Sequence, residues 1–412
     1  MRYRLLVIFL IVTLQRLNAQ PAPVLPPDSM LPRITRSHLL LQAYAMSAQA
    51  YRWRAHSALA WAPPVVGAGT FMIPWSARRV YNDIALGSRI VQAEQAIPHP
   101  AKLRSRYQYL AFEANMALTA QTIALNRLHY SARQQYIRHV AALQKAAALR
   151  RQEQVLSFIH QVALARLPYR QAQVAAVSTA AARLTAVSDD IRTQESLAAG
   201  TRARLSSLLY LTGPFTTDSS YTPAFTPGNT DTVSLAQANK QVYQLEEAIR
   251  WRYLEQKAVR QEHRPDFNIG FYQFFPVSPL VPNNFNIMVG IRIPLAPWAA
   301  GYYRRKTQAI GTDIAALAQQ RSALLQQTQV RLTVLEQDIR IQQQRIYGIT
   351  EKILPALQHA LEADMARYQE NRLDLATVLR SLEAACAMEV QLCDYRQQLY
   401  EMIIAYDQLL YR

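Results

Sequence analysis

Glycine is scarce in this sequence, with eleven residues in 412, whereas average composition is about 7% glycine. None occurs between Gly87 and Gly200, where alanine, leucine, glutamine and arginine dominate. These residues are mostly strong helix formers. This composition argues against a doubly wound α/β enzyme, whose many strand–helix turns usually draw on glycine. Half of the residues are hydrophobic, which argues against disorder. The scarcity of glycine therefore predicts long helices.

Cysteine is scarcer still, with Cys386 and Cys393 the only two. They are seven residues apart in a helical pattern, about 10.5 Å along a helix. A disulfide needs Cα atoms within about 7 Å. Residues 360–412 contain no histidine that would complete a metal site with them. We therefore predict two free thiols that face a core.

Catalytic motifs are also missing. The eight histidines are scattered, and the sequence contains no H-E-x-x-H pattern and no glycine-rich phosphate loop. Serine, histidine and aspartate occur without a nucleophile elbow. The sequence therefore predicts a protein that is not an enzyme, with no catalytic residues, no cofactor and no metal.

The sequence contains no apolar run of about 18 residues or more. The clearest shorter run lies near the amino terminus. A basic start, the apolar segment Leu5–Leu14 and the small residue Ala19 are typical of a secretory signal peptide over residues 1–19. The apolar segment is shorter than the roughly 20 residues that span a bilayer. Cleavage removes three arginines and lowers the net charge from +17 to +14. Such a charge favours a polyanion or an anionic membrane surface as partner.

Three short matches at one offset indicate an internal repeat. Each pair is separated by 201 residues: Pro64–Gly69 with Pro265–Gly270, Ala165–Leu167 with Ala366–Tyr368, and Leu208–Tyr210 with Leu409–Tyr411. We predict a first repeat over 20–213, a linker over 214–232 and a second repeat over 233–412. Each repeat has a helix, two strands and a long helical hairpin.

Period-two alternation predicts strands at 65–73, 84–97, 266–275 and 285–293. In the last of these, Phe285, Ile287 and Val289 share an apolar face, and Asn286 lies on a more polar one. The alternation slips near Ile90, as at a β-bulge. Residues 101–166 lack proline and glycine, and one continuous helix there would extend about 99 Å. Such helices need a continuous neighbour, as in coiled coils.

The strands have the length of transmembrane β-strands, about 9–11 residues. Aromatic residues near their ends are candidates for membrane-interface girdles; we select Trp75, Tyr81, Phe274, Phe285 and Trp298. Four strands do not close a barrel alone. The alternative is a soluble pair of β-hairpins packed on a helical bundle.

The order of these elements resembles the outer membrane efflux protein family, the TolC-like channels. Gln95–Arg104 is similar to the strand-end pattern Q-x-I-P-x-P-G-K-L-R of the heavy-metal-efflux branch, with Ala101 in place of its glycine. Leu354-Pro355, Tyr368 and Val378-Leu379 look like the L-P … Y-x-x-G … L-L pattern of the last hairpin.

The resemblance implies a mostly α fold with a small β part. In that family, long antiparallel coiled-coil hairpins form a trimeric α-barrel, and four strands per protomer complete a 12-stranded transmembrane β-barrel. It implies a location in the outer membrane of a Gram-negative bacterium, with the helical part in the periplasm. The function implied is that of a passive outer-membrane channel in a tripartite efflux system. The implied partners are further copies in a homotrimer, a periplasmic adaptor (membrane fusion) protein, a pump of the resistance-nodulation-division type and outer-membrane lipid.

The hairpin tips would form the periplasmic entrance and contact the adaptor. The residues that we assign to this role are Arg170, Gln173, Asn371, Arg372, Asp374, Thr377 and Arg380. Many relatives have aspartates where Thr377 and Arg380 stand, so this chain is expected to have a basic entrance. We place the excess positive charge on the helical tube and this entrance.

Two other classes remain as alternatives. A periplasmic coiled-coil adaptor or scaffold also contains helical hairpins, but the sequence lacks the glycine-rich, lipoyl-like segments that flank them. A helical nucleic-acid-binding protein would account for the charge. The signal peptide and the dispersed arginines oppose it, so no nucleic-acid partner is expected.

Overall fold

The computed structural model describes residues 24–73, 87–167, 174–218, 221–229, 231–278, 281–294, 297–370 and 372–412. The chain divides into two compact units. The sheet unit consists of the described parts of Ala43–Thr122 and Lys240–Leu325. The hairpin unit consists of the described parts of Met1–Gln42, Ile123–Asn239 and Gln326–Arg412. Each unit takes residues from both predicted repeats, so the compact units do not follow the boundary at 214–232.

The described residues are mostly helical. The helices are α1 (Pro27–Ser37), α2 (Leu39–Ser57), α3 (Pro100–Arg166), α4 (Val174–Leu209), α5 (Thr232–Ala238), α6 (Lys240–Gln261), α7 (Pro297–Gly348), α8 (Leu354–Gln369) and α9 (Leu375–Leu410). The strands are β1 (Val24–Leu25), β2 (Val65–Phe71), β3 (Ser88–Ile97), β4 (Thr216–Thr217), β5 (Asp266–Pro276) and β6 (Asn284–Arg292). The prediction of a mostly α protein with a small β part is confirmed.

The long helices follow from the lack of helix breakers. Helix α3 runs unbroken for 67 residues, as predicted. Between α7 and α8, Ile349–Ile353 forms a π-helical turn, in which the backbone N–H of Leu354 bonds to the carbonyl of Ile349. Pro355 follows at once and has no N–H to donate to the preceding turn. The wider turn therefore lies where the ordinary helical hydrogen bonds are interrupted.

The order of helix, two strands, long helix and second helix occurs twice along the chain. The first set is α2, β2, β3, α3 and α4. The second is α6, β5, β6, α7 with α8, and α9. This order is the one that the repeat predicts, while the duplication itself stays a prediction.

The hairpin unit is held by apolar contacts between its long helices. One core cluster joins buried residues of α3, α4, α8 and α9, among them Leu156, Ile159, Val187, Leu379 and Leu382. Burying a side chain of this size contributes about 1.5–3 kcal/mol. A second cluster, around Tyr136 and Leu205, includes α1 residues. Beside it, β1 pairs in parallel with β4.

Ion pairs join α3 to α9 within the hairpin unit. Arg138 Nε lies 2.8 Å from Glu401 Oε1, Arg151 pairs with Glu389 at 3.2 Å, and Lys145 pairs with Asp394. Burial alone would raise the pKa of Glu401, but hydrogen bonds from Arg138 and Gln397 outweigh it and lower the pKa. Partly exposed pairs of this kind contribute about 0–1 kcal/mol each. Their main effect is to favour one alignment of α9 on α3.

Cys386 and Cys393 are free and half-buried, as predicted. Burial, with a smaller contribution from Glu389, raises the pKa of Cys386 to about 11. Burial also raises the pKa of Cys393. Both side chains are therefore neutral thiols at neutral pH and weak nucleophiles.

The expected bulge near Ile90 is wrong. Residues 88–97 of β3 pair one-to-one with β5, and 88–94 pair one-to-one with β2. Adjacent Ile90 and Val91 point to opposite faces, and Ile90 lies beside Phe274 of β5 on the less apolar face. A bulge that would keep both apolar side chains on one face of the sheet is not needed. The face that carries Ile90 also carries the apolar side chain of Phe274 beside it.

Within the described residues, no helix combines the length and the hydrophobicity that crossing a membrane requires. The same residues contain no group of three or more histidine, cysteine, aspartate or glutamate side chains placed to hold a metal ion.

We expect His139 to make the hairpin unit less stable in acid. His139 is buried between α3 and α4, and its Nδ1 lies 2.9 Å from the carbonyl oxygen of Ala198. Burial lowers its pKa below 6.5, and Arg202 lowers it further. The unfolded chain therefore binds a proton more readily. The contribution of His139 is complete above the unfolded pKa of about 6.5 and is lost as the pH falls from there toward the lowered folded pKa.

Thermal unfolding of wild type and His139→Gln between pH 7.5 and 5.5 checks this expectation. The wild type should lose more stability on acidification than the variant. The control is His359→Gln, since His359 is exposed. Equal pH dependence of wild type and His139→Gln would contradict the assignment.

Candidate functional site

Four strands of the sheet unit form one antiparallel sheet in the order β2-β3-β5-β6. The strand ends at Val65, Ile97, Asp266 and Arg292 lie at the end that connects to the helices α2, α3, α6 and α7. The opposite end carries the connections between the strands of each hairpin. Strands β2 and β6 are the two edges.

One face of this sheet is apolar across all four strands. Directly paired residues share a face, and the pairing places Val66, Ala93, Phe271 and Ile287 in one row. The apolar residues of this face are Val66, Ala68, Val91, Ala93, Ile97, Phe267, Ile269, Phe271, Phe275, Phe285, Ile287, Val289 and Ile291. Phe285 and Val289 are 66% and 65% exposed. The same face also carries Thr70, Arg89 and Gln273 toward the strand connections and Gln95 toward the helices. It is therefore a largely apolar surface with polar residues near its two ends, and its exposure in the protomer is the mark of a membrane or partner contact.

The other face is polar or small over most of its length. It carries Gln92, Glu94, Asn268, Tyr272, Asn286 and Arg292, together with Gly67, Gly69, Gly270 and Gly290. The hydroxyl of Tyr272 donates to Glu94 Oε1 at 2.5 Å. The alternation predicted for the last two strands is confirmed, and it extends over the sheet.

An ion pair ties the sheet to α3. Asp266, the first residue of β5, accepts hydrogen bonds from the backbone N–H of His99 at 3.0 Å and from Lys102 Nζ at 2.7 Å. Lys102 belongs to the stretch Gln95–Arg104 that carries the family resemblance. Sequence reasoning assigned it no role, although its place in that pattern was a usable signal.

The predicted interface aromatics do not all occupy equivalent positions. Phe285 lies on the apolar face at the loop end of β6. Phe274 lies on the opposite face and packs edge-on against Phe71, with ring centres 5.5 Å apart. Its neighbour Phe275 is the aromatic residue of β5 on the apolar face at this end. Trp75 and Tyr81 lie outside the described residues. Trp298 is in the first turn of α7, and its side chain is outside the described part of the chain.

An arginine joins the two hairpin tips of the hairpin unit. Arg166, the last residue of α3, donates to the carbonyls of Tyr368 and Gln369 at 2.8 and 3.1 Å. Its guanidinium also lies 4.7 Å from the centre of the Tyr368 ring. The last carbonyls of a helix have no donors within it and carry partial negative charge. Arg166 therefore caps α8 from the other hairpin, a role that sequence reasoning missed.

Three of the predicted entrance residues form a chain at the start of α9. Asp374 is the residue before the helix, and Thr377 donates to its carboxylate. Arg380 in turn donates to Thr377 Oγ1 at 3.0 Å. Arg372 pairs instead with Glu370 at 3.2 Å. Arg170, Gln173 and Asn371 lie outside the described residues.

The excess positive charge does not concentrate at this tip. Arg372 and Arg380 are balanced locally by Glu370 and Asp374. The stretches 43–122 and 240–325, which define the sheet unit, contain 19 lysines and arginines against 9 acidic residues. Of these, 14 of the basic and 5 of the acidic residues lie on the helices α2, α3, α6 and α7. Most of the net charge of +14 expected after cleavage therefore lies on helices of the sheet unit rather than at the entrance, and its placement on the helical tube stays a prediction.

No family model and no curated protein matches the chain. Solved structures of outer-membrane channels do match, each over 93% of this chain. MtrE of Neisseria gonorrhoeae matches with a TM-score of 0.75 and 12% identity over 88% of its own length. CmeC of Campylobacter jejuni matches with a TM-score of 0.73 and 10% identity over 85% of its own length. The outer membrane protein VceC of Vibrio cholerae matches with a TM-score of 0.72 and 13% identity over 95% of its own length.

The chain therefore has the fold of outer-membrane channel proteins. Similarity at this level of identity concerns the fold, and it agrees with the TolC-like architecture that the sequence resemblance implied. The same architecture explains why two long helical hairpins and a four-stranded sheet occur in one chain.

We expect Arg166 to stabilise the tip through its forked guanidinium. Arg166→Gln removes the charge-assisted bonds to the Tyr368 and Gln369 carbonyls, each contributing about 1.5–3 kcal/mol. Arg166→Lys keeps the charge but offers no fork, so it should restore only part of the loss. Hydrogen exchange of the backbone amides at the end of α8 measures the effect.

The matched control is Arg192→Gln, which removes an exposed arginine that pairs with Asp189 within α4. It should leave exchange at the tip unchanged. If the tip amides of Arg166→Gln exchange as slowly as those of the wild type, Arg166 does not hold the tip.

Proposed function

We propose that this protein is the outer-membrane channel of a tripartite efflux system and acts as a passive conduit from the periplasm or an inner-membrane pump to the outside. The observation that carries the proposal is the sheet with one exposed apolar face and one polar face. The shared fold with outer-membrane channels supports it.

The sheet supplies the membrane-spanning part of this proposal. Its strands of 7 to 11 residues approach or match the length that crosses a bilayer as tilted β-strands. The apolar face meets lipid, and the polar face lines the passage. Among the described residues, strands β2 and β6 each have one side without a pairing strand, and backbone groups must be paired in hydrocarbon. A homotrimer joins these edges and gives a closed barrel of 12 strands.

The helical hairpins supply the periplasmic part. Their tips form the entrance, and Arg166 holds the two tips of one protomer together. Arg170, Gln173, Asn371, Arg372, Asp374, Thr377 and Arg380 are the proposed entrance and adaptor-contact residues. The proposed partners are a membrane fusion adaptor and a resistance-nodulation-division pump, which supplies the energy.

The interface girdle of the proposed barrel includes Phe285, with Trp75, Tyr81 and Trp298 as further candidates. Phe274 is the weakest of the predicted set, because its face is the one that lines the passage. The signal peptide at 1–19 would direct the chain through the inner membrane. The adaptor alternative finds no support in the matched structures, which are channels.

A charge placed on the lipid face of β6 tests the function directly. Val289 and Asn286 are three residues apart on the same strand and lie on opposite faces. Lysine at the lipid face near the middle of a membrane costs about 2–4 kcal/mol. Val289→Lys should therefore greatly reduce the protein recovered from the outer membrane as a folded trimer, whereas the control Asn286→Lys should be recovered normally.

Equal recovery of Val289→Lys and Asn286→Lys would remove the main support for the membrane-spanning sheet. Recovery of the wild type as a soluble periplasmic monomer would refute the channel.

The ion preference of the entrance is tested at Arg372 and Arg380. Changing both to aspartate shifts the tip by four negative charges per protomer, and fixed charges at a narrow entrance select ions of opposite sign. We expect selectivity in planar bilayers to move toward cations. The control Arg192→Asp/Arg204→Asp makes the same change on exposed positions of α4. Unchanged selectivity of the Arg372/Arg380 variant would show that these residues do not line the entrance.

A further inference from the structure

A cleft of about 350 Å³ lies within the sheet unit between α3, α6 and α7. Arg106 of α3 and Lys306 of α7 provide basic groups, and Tyr109, Tyr302 and Tyr303 provide phenol rings. Glu255 and Glu262 complete its charged lining. The proposed channel function assigns no role to this cleft.

The two basic side chains are available to a ligand. Arg106 and Lys306 are exposed, and no carboxylate oxygen of the described residues lies within 4.0 Å of either charged group. Lys306 Nζ lies 5.9 Å from the centre of the Tyr302 ring. Arg106 and Lys306 thus combine as two positive charges at the wall of one cleft.

The acidic lining is partly neutralised. Glu255 Oε2 lies 2.6 Å from Arg252 Nη1, whereas Glu262 pairs with no basic side chain of the described residues. Counting Arg106, Lys306 and Glu262, the cleft carries one net positive charge. A phosphodiester has one negative charge, while free phosphate has about −1.5 to −2 near neutral pH. The charge therefore fits a diester better than it fits free phosphate.

The tyrosines add hydrogen-bond donors. Burial, with smaller contributions from Glu255 and Glu113, raises the pKa of Tyr109 to about 12. Its hydroxyl thus stays protonated and able to donate. Tyr302 is 62% exposed and lines the cleft, so it is accessible to a ligand there. Tyrosine and basic residues together are typical of the boundary between membrane and water.

The cleft lies close to the end of the sheet that connects to the helices. Arg106 is six residues into α3, Tyr302 is five residues into α7, and Glu262 directly follows α6. At 1.5 Å per residue these positions are about 10 Å or less from the helix ends that adjoin the strands, whereas Lys306, nine residues into α7, is about 14 Å away. Side chains tilt toward the start of their helix, so the Lys306 side chain extends back toward the sheet. The headgroup layer of a bilayer is about 5–8 Å thick on each side. On the proposed function, on which this step rests, the part of the cleft nearest the sheet is at headgroup depth on the periplasmic side.

We propose that this cleft binds the phosphodiester headgroup of a glycerophospholipid from the periplasmic leaflet, with Arg106 and Lys306 contacting the phosphate. The charge balance, the tyrosine donors and the position beside the sheet all fit this ligand. Bound lipid would fix the depth of the sheet in the membrane, because its acyl chains would stay in the hydrocarbon while its headgroup stays in the cleft.

The test uses full-length delipidated protein in detergent and measures binding of phosphatidylglycerol by native mass spectrometry. Each basic group near an anionic lipid contributes about 1 kcal/mol, so Arg106→Gln/Lys306→Gln should weaken binding about tenfold or more. The control Arg204→Gln/Arg331→Gln removes the same charge from exposed positions of the hairpin unit. It should leave binding unchanged.

Two further probes identify the chemistry. A galactosyl diacylglycerol, which has acyl chains but no phosphate, should bind at least about tenfold more weakly than phosphatidylglycerol. Inorganic phosphate should not compete with the lipid. Equal binding of the glycolipid would overturn the phosphate assignment, and strong competition by inorganic phosphate would overturn the lipid source.

Equal weakening by the two double variants would show general charge attraction and refute the site. If the Arg106/Lys306 double variant does not fold, Lys306→Gln alone, at an exposed position, should still weaken phosphatidylglycerol binding. Unchanged binding in that variant would overturn the proposal. Binding in detergent does not require insertion, so a failed site is distinguished from a failed channel by the separate behaviour of Val289→Lys and Asn286→Lys.

Discussion

A β-sheet with one apolar face and two unpaired edges is stable in few surroundings. In water, the exposed side chains of Phe285, Ile287 and Val289 would forgo about 25 cal/mol for each Å² left unburied. In hydrocarbon the same face is favourable, but the free N–H and C=O groups of β2 and β6 are not. Lipid against one face and further strands at both edges satisfy the two demands together. The proposed trimeric barrel follows from this pair of requirements more than from any single residue.

The two compact units are held by different kinds of interaction. In the hairpin unit, apolar side chains of four helices provide most of the stabilisation, and the ion pairs between α3 and α9 favour one alignment at small net gain. In the sheet unit, Asp266 accepts hydrogen bonds from the backbone N–H of His99, just before α3, and from the Lys102 ammonium. A buried or half-buried carboxylate needs such partners, so the start of β5 is fixed relative to the start of α3. The passage from strand to helix is thus a polar junction, whereas the helical core is apolar.

The features that sequence predicts well are those written in local patterns. The absence of glycine and proline predicted α3, and alternation predicted β5 and β6 to within a residue or two. The spacing of Cys386 and Cys393 predicted free thiols. Features that depend on tertiary contact were missed. Arg166 reaches carbonyls some 200 residues away, α3 pairs with α9 over a still longer separation, and β1 and β4 are too short to show a pattern. Phe274 shows how strongly the face of a strand residue depends on its position, because a shift of one residue moves a side chain to the other face. Phe274 was predicted for the membrane interface, but its neighbour Phe275 is the one on the apolar face.

The matched channels keep this fold at 10–13% identity, which is understandable from the kind of constraint involved. Alternation along a strand and an apolar stripe along a helix require apolar or polar residues at given positions but not particular amino acids. Exchanges between apolar residues of similar volume cost little stability. Charges are less constrained, because exposed charged residues contribute little to stability. The charge pattern can therefore diverge while the architecture persists. In this chain the basic excess is large in the sheet unit. The fold does not require the positive charge of this surface. The surface nevertheless brings Arg106, Lys306 and three tyrosines together at one cleft beside the apolar sheet. A ligand explains this arrangement better than folding does.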